Sequence, residues 1–224
     1  MEELIKRLLN ETEFENIQQV DDIEKKNCLF SENRNKNIFY ILNFYNSINE
    51  FNEEFKENQS KAFNFICNKD NSNELKKNTS MIIFIKVENI KQMDEMQSKI
   101  LELEEDVYFF KKYVLLYLEN ELEELKSVVE SNNISKFMKE NINNEELFET
   151  FKVEEKLSFY SLILKIYIKL PHLIYSNTFE PKDIQDLHEK ITDDLEKKGV
   201  SNFHDELLTI DDIESWIDKE IDIQ

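Results

Sequence analysis

The chain of 224 residues contains only one glycine and two prolines. Antiparallel sandwiches and barrels need many tight turns, whose positive φ angles are adopted most readily by glycine and, less readily, by asparagine. So few glycines argue against such folds. They also argue against the glycine-rich loops that bring backbone N–H groups close to nucleotide phosphates. The sequence therefore predicts a fold dominated by helices, with asparagine at the turns and helix caps.

Cysteine and histidine are also scarce. Cys28 and Cys67 are isolated and form no C-x-x-C pair, so they are expected to be reduced thiols and do not indicate a zinc site. His172, His188 and His204 lie far apart and lack the H-E-x-x-H spacing of zinc hydrolases. We therefore expect ordinary surface or packing roles for the histidines. We expect no metal, no cofactor, no small-molecule substrate and no enzymatic activity.

Long hydrophobic runs are absent. The most apolar stretch, residues 159–175, is interrupted by Lys165, Lys169 and Pro171. It falls short of the roughly 18 uninterrupted apolar residues that a membrane span requires. The first residues mix charged and apolar side chains and lack the apolar region of a signal peptide. These features predict a cytoplasmic protein without a membrane partner.

Basic residues are outnumbered by acidic ones. Lys and Arg total 28 against 48 Asp and Glu, which gives a formal net charge of −20. Binding to nucleic acid depends on Lys and Arg that displace counterions from the phosphates. The composition therefore predicts no direct contact with nucleic acid. It favours protein partners, either basic ones or a complex in which another subunit holds the nucleic acid.

The pattern of apolar residues predicts an α+β fold. Its N-terminal half is a small mixed or parallel sheet with crossover helices, and its C-terminal half is all-α. The predicted strands are residues 28–30, 38–45, 80–88 and 113–118, with helices over about 47–67 and after Asn89, and a polar loop over 68–78. A long helix is predicted over about 145–170, and another follows Pro181 and ends near Gly199. We divide the chain into a module of residues 1–125 and a helical region of residues 126–224 packed on it.

The stretch ELEEDVYFFKKYVLLYLENE, Glu102–Glu121, combines acids, aromatics and lysines. One interpretation is a structural junction between a helix and a strand, in which the acids pair with the lysines and the aromatic triplet fills the core. The other is an interface, because Tyr and Phe are common anchors of protein–protein contacts. The candidate interface residues are Glu104, Glu105, Asp106, Tyr108, Phe109, Phe110, Lys111, Lys112 and, near the C-terminus, Trp216.

A third possibility is a nuclease site. A Mg²⁺-dependent nuclease needs two or three acids near a lysine at strand ends. Lys86, Glu88 and the acids at 104–106 could supply them, but the usual order of an acid followed by Glu-x-Lys on the next strand is absent. Because acids are so abundant in this chain, chance clusters are expected, and catalysis is not favoured.

Residues 104–121 resemble the signature of the middle component of bacterial ABC-three-component systems, which include the Lamassu anti-phage systems. The resemblance is carried by Phe110–Leu115, by the apolar strand 81–87 before a helix, and by the Lys-Leu-Pro turn at 169–171. Val107 departs from the pattern, where proline is expected, and so does His172, where an apolar residue is expected.

The resemblance implies a non-catalytic subunit of a bacterial defence complex against phages or plasmids. Such a subunit would couple an SMC-like ATPase that senses DNA to a separate effector, often a nuclease. From the composition alone, an acidic antitoxin-like protein or a DNA mimic that neutralises a basic partner is a further alternative.

Overall fold

The computed structural model describes residues 1–20, 23, 27–129, 133–154 and 157–173. The helix predicted after Pro181, its end at Gly199, and Trp216 lie outside these residues. The strands are β1 (Glu15–Gln19), β2 (Cys28–Asn33), β3 (Ile38–Tyr45), β4 (Thr79–Val87) and β5 (Lys111–Leu118). The helices are α1 (Glu2–Glu11), α2 (Ile48–Cys67), α3 (Ser72–Asn78), α4 (Ile90–Glu105), α5 (Glu119–Val128), α6 (Ile134–Ile142), α7 (Glu145–Glu154) and α8 (Phe159–Lys169).

The five strands form one mixed sheet in the order β1-β2-β3-β4-β5. Strands β1, β2 and β3 pair antiparallel, whereas β3, β4 and β5 run parallel. Parallel neighbours need a crossover connection, which α2 and α3 supply between β3 and β4, and α4 supplies between β4 and β5. The predicted fold class is confirmed: a mixed sheet with crossover helices is followed, in the described residues, by helices.

Both faces of the sheet are covered. On one face, Met81, Ile83 and Ile85 of β4 belong to a core that includes side chains of α2, α3 and α4. On the other face, Ile82 and Phe84 belong to a core that includes side chains of α1, α5, α6 and α8. Alternate residues of a strand point to opposite faces, so the unbroken apolar run of β4 fits its position between two layers.

Three elements differ from the sequence-based prediction. Strand β1 was not predicted, because ENIQQ contains a single apolar residue and gives no alternating signal. The polar segment predicted as a loop contains α3, which buries only Leu75. The helix predicted over 145–170 is two helices, and Ser158 begins the second through a capping box with Ser161.

Asparagine takes the turn and cap positions, as the scarcity of glycine predicted. Asn89 and Asn133 cap α4 and α6 by accepting hydrogen bonds from the amides of Gln92 and Lys136. Asn16, Asn37 and Asn133 have positive φ angles. After glycine, asparagine adopts this region at the lowest cost, so it can replace glycine at the Asn37 turn, at the Asn133 cap and at Asn16, in the irregular part of β1.

A buried carboxylate ties α5 to α8. Glu121 is 0% exposed and accepts hydrogen bonds from the Leu118 amide at 2.9 Å and from the Ser161 hydroxyl. The Lys165 ammonium lies 2.8 Å from Glu121 Oε1 and balances its charge. One side chain thus caps its own helix and also anchors the helix packed against it.

Replacing Glu121 with alanine is expected to lower the free energy of unfolding by about 2–3 kcal/mol, because the substitution leaves the buried Leu118 amide and the half-buried Lys165 ammonium without their acceptor. Urea denaturation measures the change. The matched control is Glu123→Ala, an exposed acid on the same helix, for which a change within about 0.5 kcal/mol is expected. Equal effects of the two substitutions would show that the buried network contributes nothing.

His172 is a packing residue, as the sequence predicted. It is 2% exposed; its Nδ1 lies 2.9 Å from the Tyr40 hydroxyl and its Nε2 lies 3.3 Å from the Thr12 hydroxyl. Phe14 packs edge-on against the imidazole ring. Burial, and to a smaller extent the charge of Lys36, lowers the pKa of His172 from 6.5 to about 3. The residue is therefore neutral in the folded protein at physiological pH.

The lowered pKa of His172 predicts that stability falls as the pH falls below about 6.5. In that range the unfolded chain binds a proton that the folded chain does not, at a slope of up to about 1.4 kcal/mol per pH unit. Most carboxylates stay ionised between pH 7 and pH 5.5. Urea unfolding over this interval therefore isolates the contribution of His172 to the pH dependence of stability. In His172→Gln the slope over that interval should flatten, whatever the loss of stability at pH 7. A slope equal to that of the unsubstituted chain would refute the assignment.

Candidate interaction site

The junction between α4 and β5 is a tight turn, which we define as residues 106–110 and call the seam turn. Helix α4 ends at Glu105, Asp106 is extended with φ −69° and ψ 115°, and β5 begins at Lys111. Phe109 has a φ of 67°, a left-handed conformation that is uncommon for an aromatic residue. The surrounding contacts must therefore hold the turn in a conformation that Phe109 does not itself favour.

A buried lysine holds the seam turn together. The side chain of Lys112 is 0% exposed. Its ammonium donates to the Asp106 carboxylate at 2.8 Å and to the carbonyl oxygens of Asp106 at 3.0 Å and Tyr108 at 2.8 Å. An ammonium has three donors; these three acceptors are its shortest contacts, and the Phe110 carbonyl lies farther away at 3.4 Å. Lys112 therefore fixes the backbone of the turn as well as neutralising an acid.

Asp106 reinforces the same arrangement. Its other oxygen, Oδ1, accepts a hydrogen bond from the amide of Tyr108 at 3.0 Å. The hydrogen bond from Lys112, followed by that from the Tyr108 amide, holds the pKa of Asp106 below its usual value. The carboxylate is charged at neutral pH; one oxygen binds the amide in the middle of the turn and the other binds Lys112 just after it.

The seam turn exposes apolar side chains to solvent. Val107 is 87% exposed, Tyr108 is 75% exposed and Phe109 is 43% exposed; we call these three residues the exposed tip. Phe110, in contrast, is 2% exposed. The expectation that the whole aromatic triplet fills the core is therefore right for Phe110 and wrong for Tyr108 and Phe109. Phe109 rests on Phe63 of α2, with ring centroids 4.8 Å apart.

Of the neighbouring charged residues, one joins elements of the fold and the others lie exposed on the surface. Glu104 accepts a hydrogen bond from the amide of Val114 at 2.7 Å and forms an ion pair with Lys169 of α8. It therefore joins α4, β5 and α8. Lys111 is exposed and lies 5.1 Å over the ring of Tyr113, so of the two adjacent lysines only Lys112 pairs with an acid of the turn. Glu105 is exposed.

Sequence reasoning did not name Val107 as a candidate, and it named Lys112 as an interface residue although its side chain is completely buried. Val107, the most exposed member of the site, was noticed only as a departure from the family pattern. The burial of Lys112 was not predicted, although a signal exists: it alternates with Val114, Leu116 and Leu118, which are all buried on one face of β5. A lysine at a core-facing position of a strand points to a buried ion pair.

The residues considered for a nuclease do not come together. Val87 and Leu118 pair at the carboxyl ends of β4 and β5, which places Lys86 and Glu88 at that edge. The acids at 104–106 lie at the other end of α4, whose 16 residues separate the two groups by roughly 20 Å. Lys86 is instead paired with Glu119 at 3.1 Å. In the described part of the chain, no group of three His, Cys, Asp or Glu is placed to hold a metal ion.

A cleft of about 1120 Å³ lies at the carboxyl edge of the parallel strands, where α2, α4 and α5 begin. Ligands of open α/β sheets often bind at such an edge, with phosphates on helix amides. Here the amide of Glu50 is bonded by Ser47 and that of Gln92 by Asn89. The amides of Asn46 and Glu88 are bonded by Glu50 and Gln92. The chain's own side chains therefore take up these backbone donors.

No helix among the described residues is long and apolar enough to span a bilayer.

Replacing Lys112 with methionine is expected to lower the free energy of unfolding by about 2–4 kcal/mol, because two carbonyl oxygens and a carboxylate lose their donor. Urea denaturation gives the stability, and limited chymotrypsin digestion should cleave faster at Tyr108 and Phe109 once the turn is released. Lys111→Met, at the adjacent exposed lysine, is the control and should change stability by less than about 0.5 kcal/mol. If the two variants behave alike, Lys112 does not organise the turn.

Residues 37–146 match the family model for the ABC-three component (ABC-3C) system Middle Component 1. The matched region runs from the start of β3 into α7 and includes the whole seam turn. No curated protein and no solved structure matches the chain. Residues 37–146 are therefore similar to the middle components of ABC-three component systems.

Proposed function

We propose that this chain is a non-catalytic accessory subunit of a Lamassu-type bacterial defence complex, in which it couples an SMC-like, DNA-sensing ATPase to an effector. The family match supports membership of a multi-component system. A middle component of such a system needs surfaces for other proteins. The observation that carries the proposal is the exposed tip, an apolar surface held in place by a buried ammonium.

The exposed tip has the chemistry of an interface anchor. Tyr and Phe are enriched at the centres of protein–protein interfaces, where they fill pockets of the partner. Isolated exposed apolar residues are common, but here three consecutive ones are exposed within one tight turn. We expect Val107 and Tyr108 to enter a partner, with Phe109 supporting them from its position on Phe63.

The net charge of −20 fits a division of tasks within the complex. Because this chain repels nucleic acid, contact with DNA is assigned to the ATPase, and this subunit passes the signal on through protein contacts. An acidic surface also leaves the subunit free of competing, non-specific binding to the DNA that its partner senses.

The charge alone also favours another function, that of an acidic inhibitor or DNA mimic. The two functions differ in their response to salt, because contacts between exposed charges are screened within about 10 Å at 0.1 M ionic strength. Binding through the apolar tip should survive several hundred mM NaCl. Binding that is lost between about 50 mM and several hundred mM NaCl would favour the inhibitor.

The proposal predicts that the full chain co-purifies with the ATPase or the effector encoded beside it. Combined replacement of Val107 and Tyr108 with serine should weaken the complex by about tenfold or more in Kd, because the partner's pocket loses its apolar anchors. Gel filtration and titration calorimetry at 0.3 M NaCl measure the loss.

The control for the tip variant is Val153→Ser on α7, which removes an equally apolar and 81% exposed side chain from another part of the surface. This variant should bind normally. Clean separation of the unsubstituted chain from both neighbours would overturn the proposed function, and equal effects of the tip and control substitutions would overturn the role of the tip.

A further inference from the structure

A second apolar surface lies along the outer edge of the sheet. β5 is the last strand of the sheet, and α4 and α8 flank its free edge. Between them is a groove of about 340 Å³, which we call the edge groove. Its apolar lining is formed by Met93, Ile100 and Leu101 of α4, Val114, Leu115 and Leu116 of β5, and Ile168 of α8.

Both rims of the edge groove carry apolar side chains in solvent. Leu101 is 59% exposed on the α4 rim and Ile168 is 65% exposed on the α8 rim. Met93 and Ile100 of α4 line the groove and also pack against the core of the sheet, whereas Leu101 projects into solvent beside them.

Two amides along the outer edge of β5 are already bonded, which disfavours an added strand. A strand that extends a sheet must pair with the outward-facing amides of the edge. The Val114 amide is already bonded by the Glu104 carboxylate at 2.7 Å, and the Leu118 amide by Glu121 at 2.9 Å. An occupant of the edge groove must therefore satisfy its own backbone, as a helix does.

The charged residues around the edge groove indicate which charges its occupant carries. Lys165 and Lys169 lie within it, but they are paired with Glu121 and Glu104 and add no net charge. On the solvent side of α4, the exposed acids Asp94 and Glu105 follow the line of Leu101. Complementary charge across an interface favours an occupant with Lys or Arg on that flank.

The same charges disfavour occupants from this protein. Residues 174–224 contain fifteen Asp and Glu against five Lys and no Arg. A second copy of the chain brings a net charge of −20. Like charges at an interface are repulsive, so both occupants would meet the acidic rim unfavourably.

From these observations we infer that the edge groove binds an amphipathic helix of a partner protein. Its apolar residues lie between Leu101 and Ile168, and its Lys or Arg residues face Asp94 and Glu105. The inference rests on the proposed function, because it names a second partner surface of the same accessory subunit. Leu101 and Ile168 lie outside the seam turn, so replacing them tests the groove without altering the exposed tip.

Site-specific photo-crosslinking tests the inference in the assembled complex. The photoreactive residue p-benzoylphenylalanine is placed at position 168 of the full chain, which is co-expressed with the neighbouring ATPase and effector. A matched probe at position 153, also exposed but on α7, reports background. Mass spectrometry of the crosslinked peptides should identify a Lys- or Arg-rich helical segment of one partner from position 168 and not from position 153.

A binding measurement accompanies the crosslinking. Leu101→Gln and Ile168→Gln together are expected to raise the Kd about tenfold at any salt concentration, because apolar contact is lost. Asp94→Lys with Glu105→Lys should raise the Kd by a similar factor at 50 mM NaCl and by less at 500 mM NaCl, because added salt screens exposed charges.

Each other outcome overturns the inference in a recognisable way. A crosslink from position 168 to residues 174–224 would make this chain its own occupant, and a crosslink between two copies would make the groove a dimer contact. A complex that forms through the exposed tip but gives no specific crosslink at position 168 would remove this inference alone. If no complex forms with either neighbour, the proposed function fails and the inference fails with it.

Discussion

The position of β4 determines the rest of the structure. Its residues from Met81 to Ile85 are all completely buried, so neither face of the strand can be left to water. The transfer of such side chains from water is worth about 1.5–3 kcal/mol each, which makes cover on both faces the dominant requirement. Helices α2, α3 and α4 meet it on one face, and α1, α5, α6 and α8 meet it on the other. A two-layer arrangement would leave one of these faces in solvent.

This layered arrangement also explains where the surface features lie. Because β3, β4 and β5 are parallel, each crossover helix returns from the carboxyl edge of the sheet to its amino edge. The starts of α2, α4 and α5 gather at the carboxyl edge, where their caps bind the free amides. The end of α4 is brought to the amino edge, and the chain turns there into β5. The exposed tip is formed at that turn, and the edge groove runs along the strand that follows it.

The sequence predicts those parts of the fold that depend on local patterns. The limits of β3 and the start of α4 follow from an apolar run and from Asn89 as a cap, since both signals lie within a few residues. Strand β1 could not be predicted in this way, because it is held by pairing with β2 and has almost no apolar pattern of its own. In the candidate site, the burial of Lys112 could have been predicted, because it alternates with the apolar residues of β5 that face the core. The pairing of Glu104 with Lys169 joins residues 65 apart in sequence and becomes visible only after the helices have packed.

The ion pair of Lys112 with Asp106 joins groups only six residues apart, and the Tyr108 carbonyl lies between them in sequence. The loop that this contact closes is short, so little chain entropy opposes its formation, and that cost is met when the protein folds. A flexible aromatic loop would have to lose its conformational freedom at each encounter with a partner, at roughly 0.5–1.5 kcal/mol per side chain immobilised. In this protein the backbone beneath Tyr108 is already held in place by these contacts. More of the energy of apolar contact therefore remains available as affinity, and the association rate need not wait for the loop to find its bound shape.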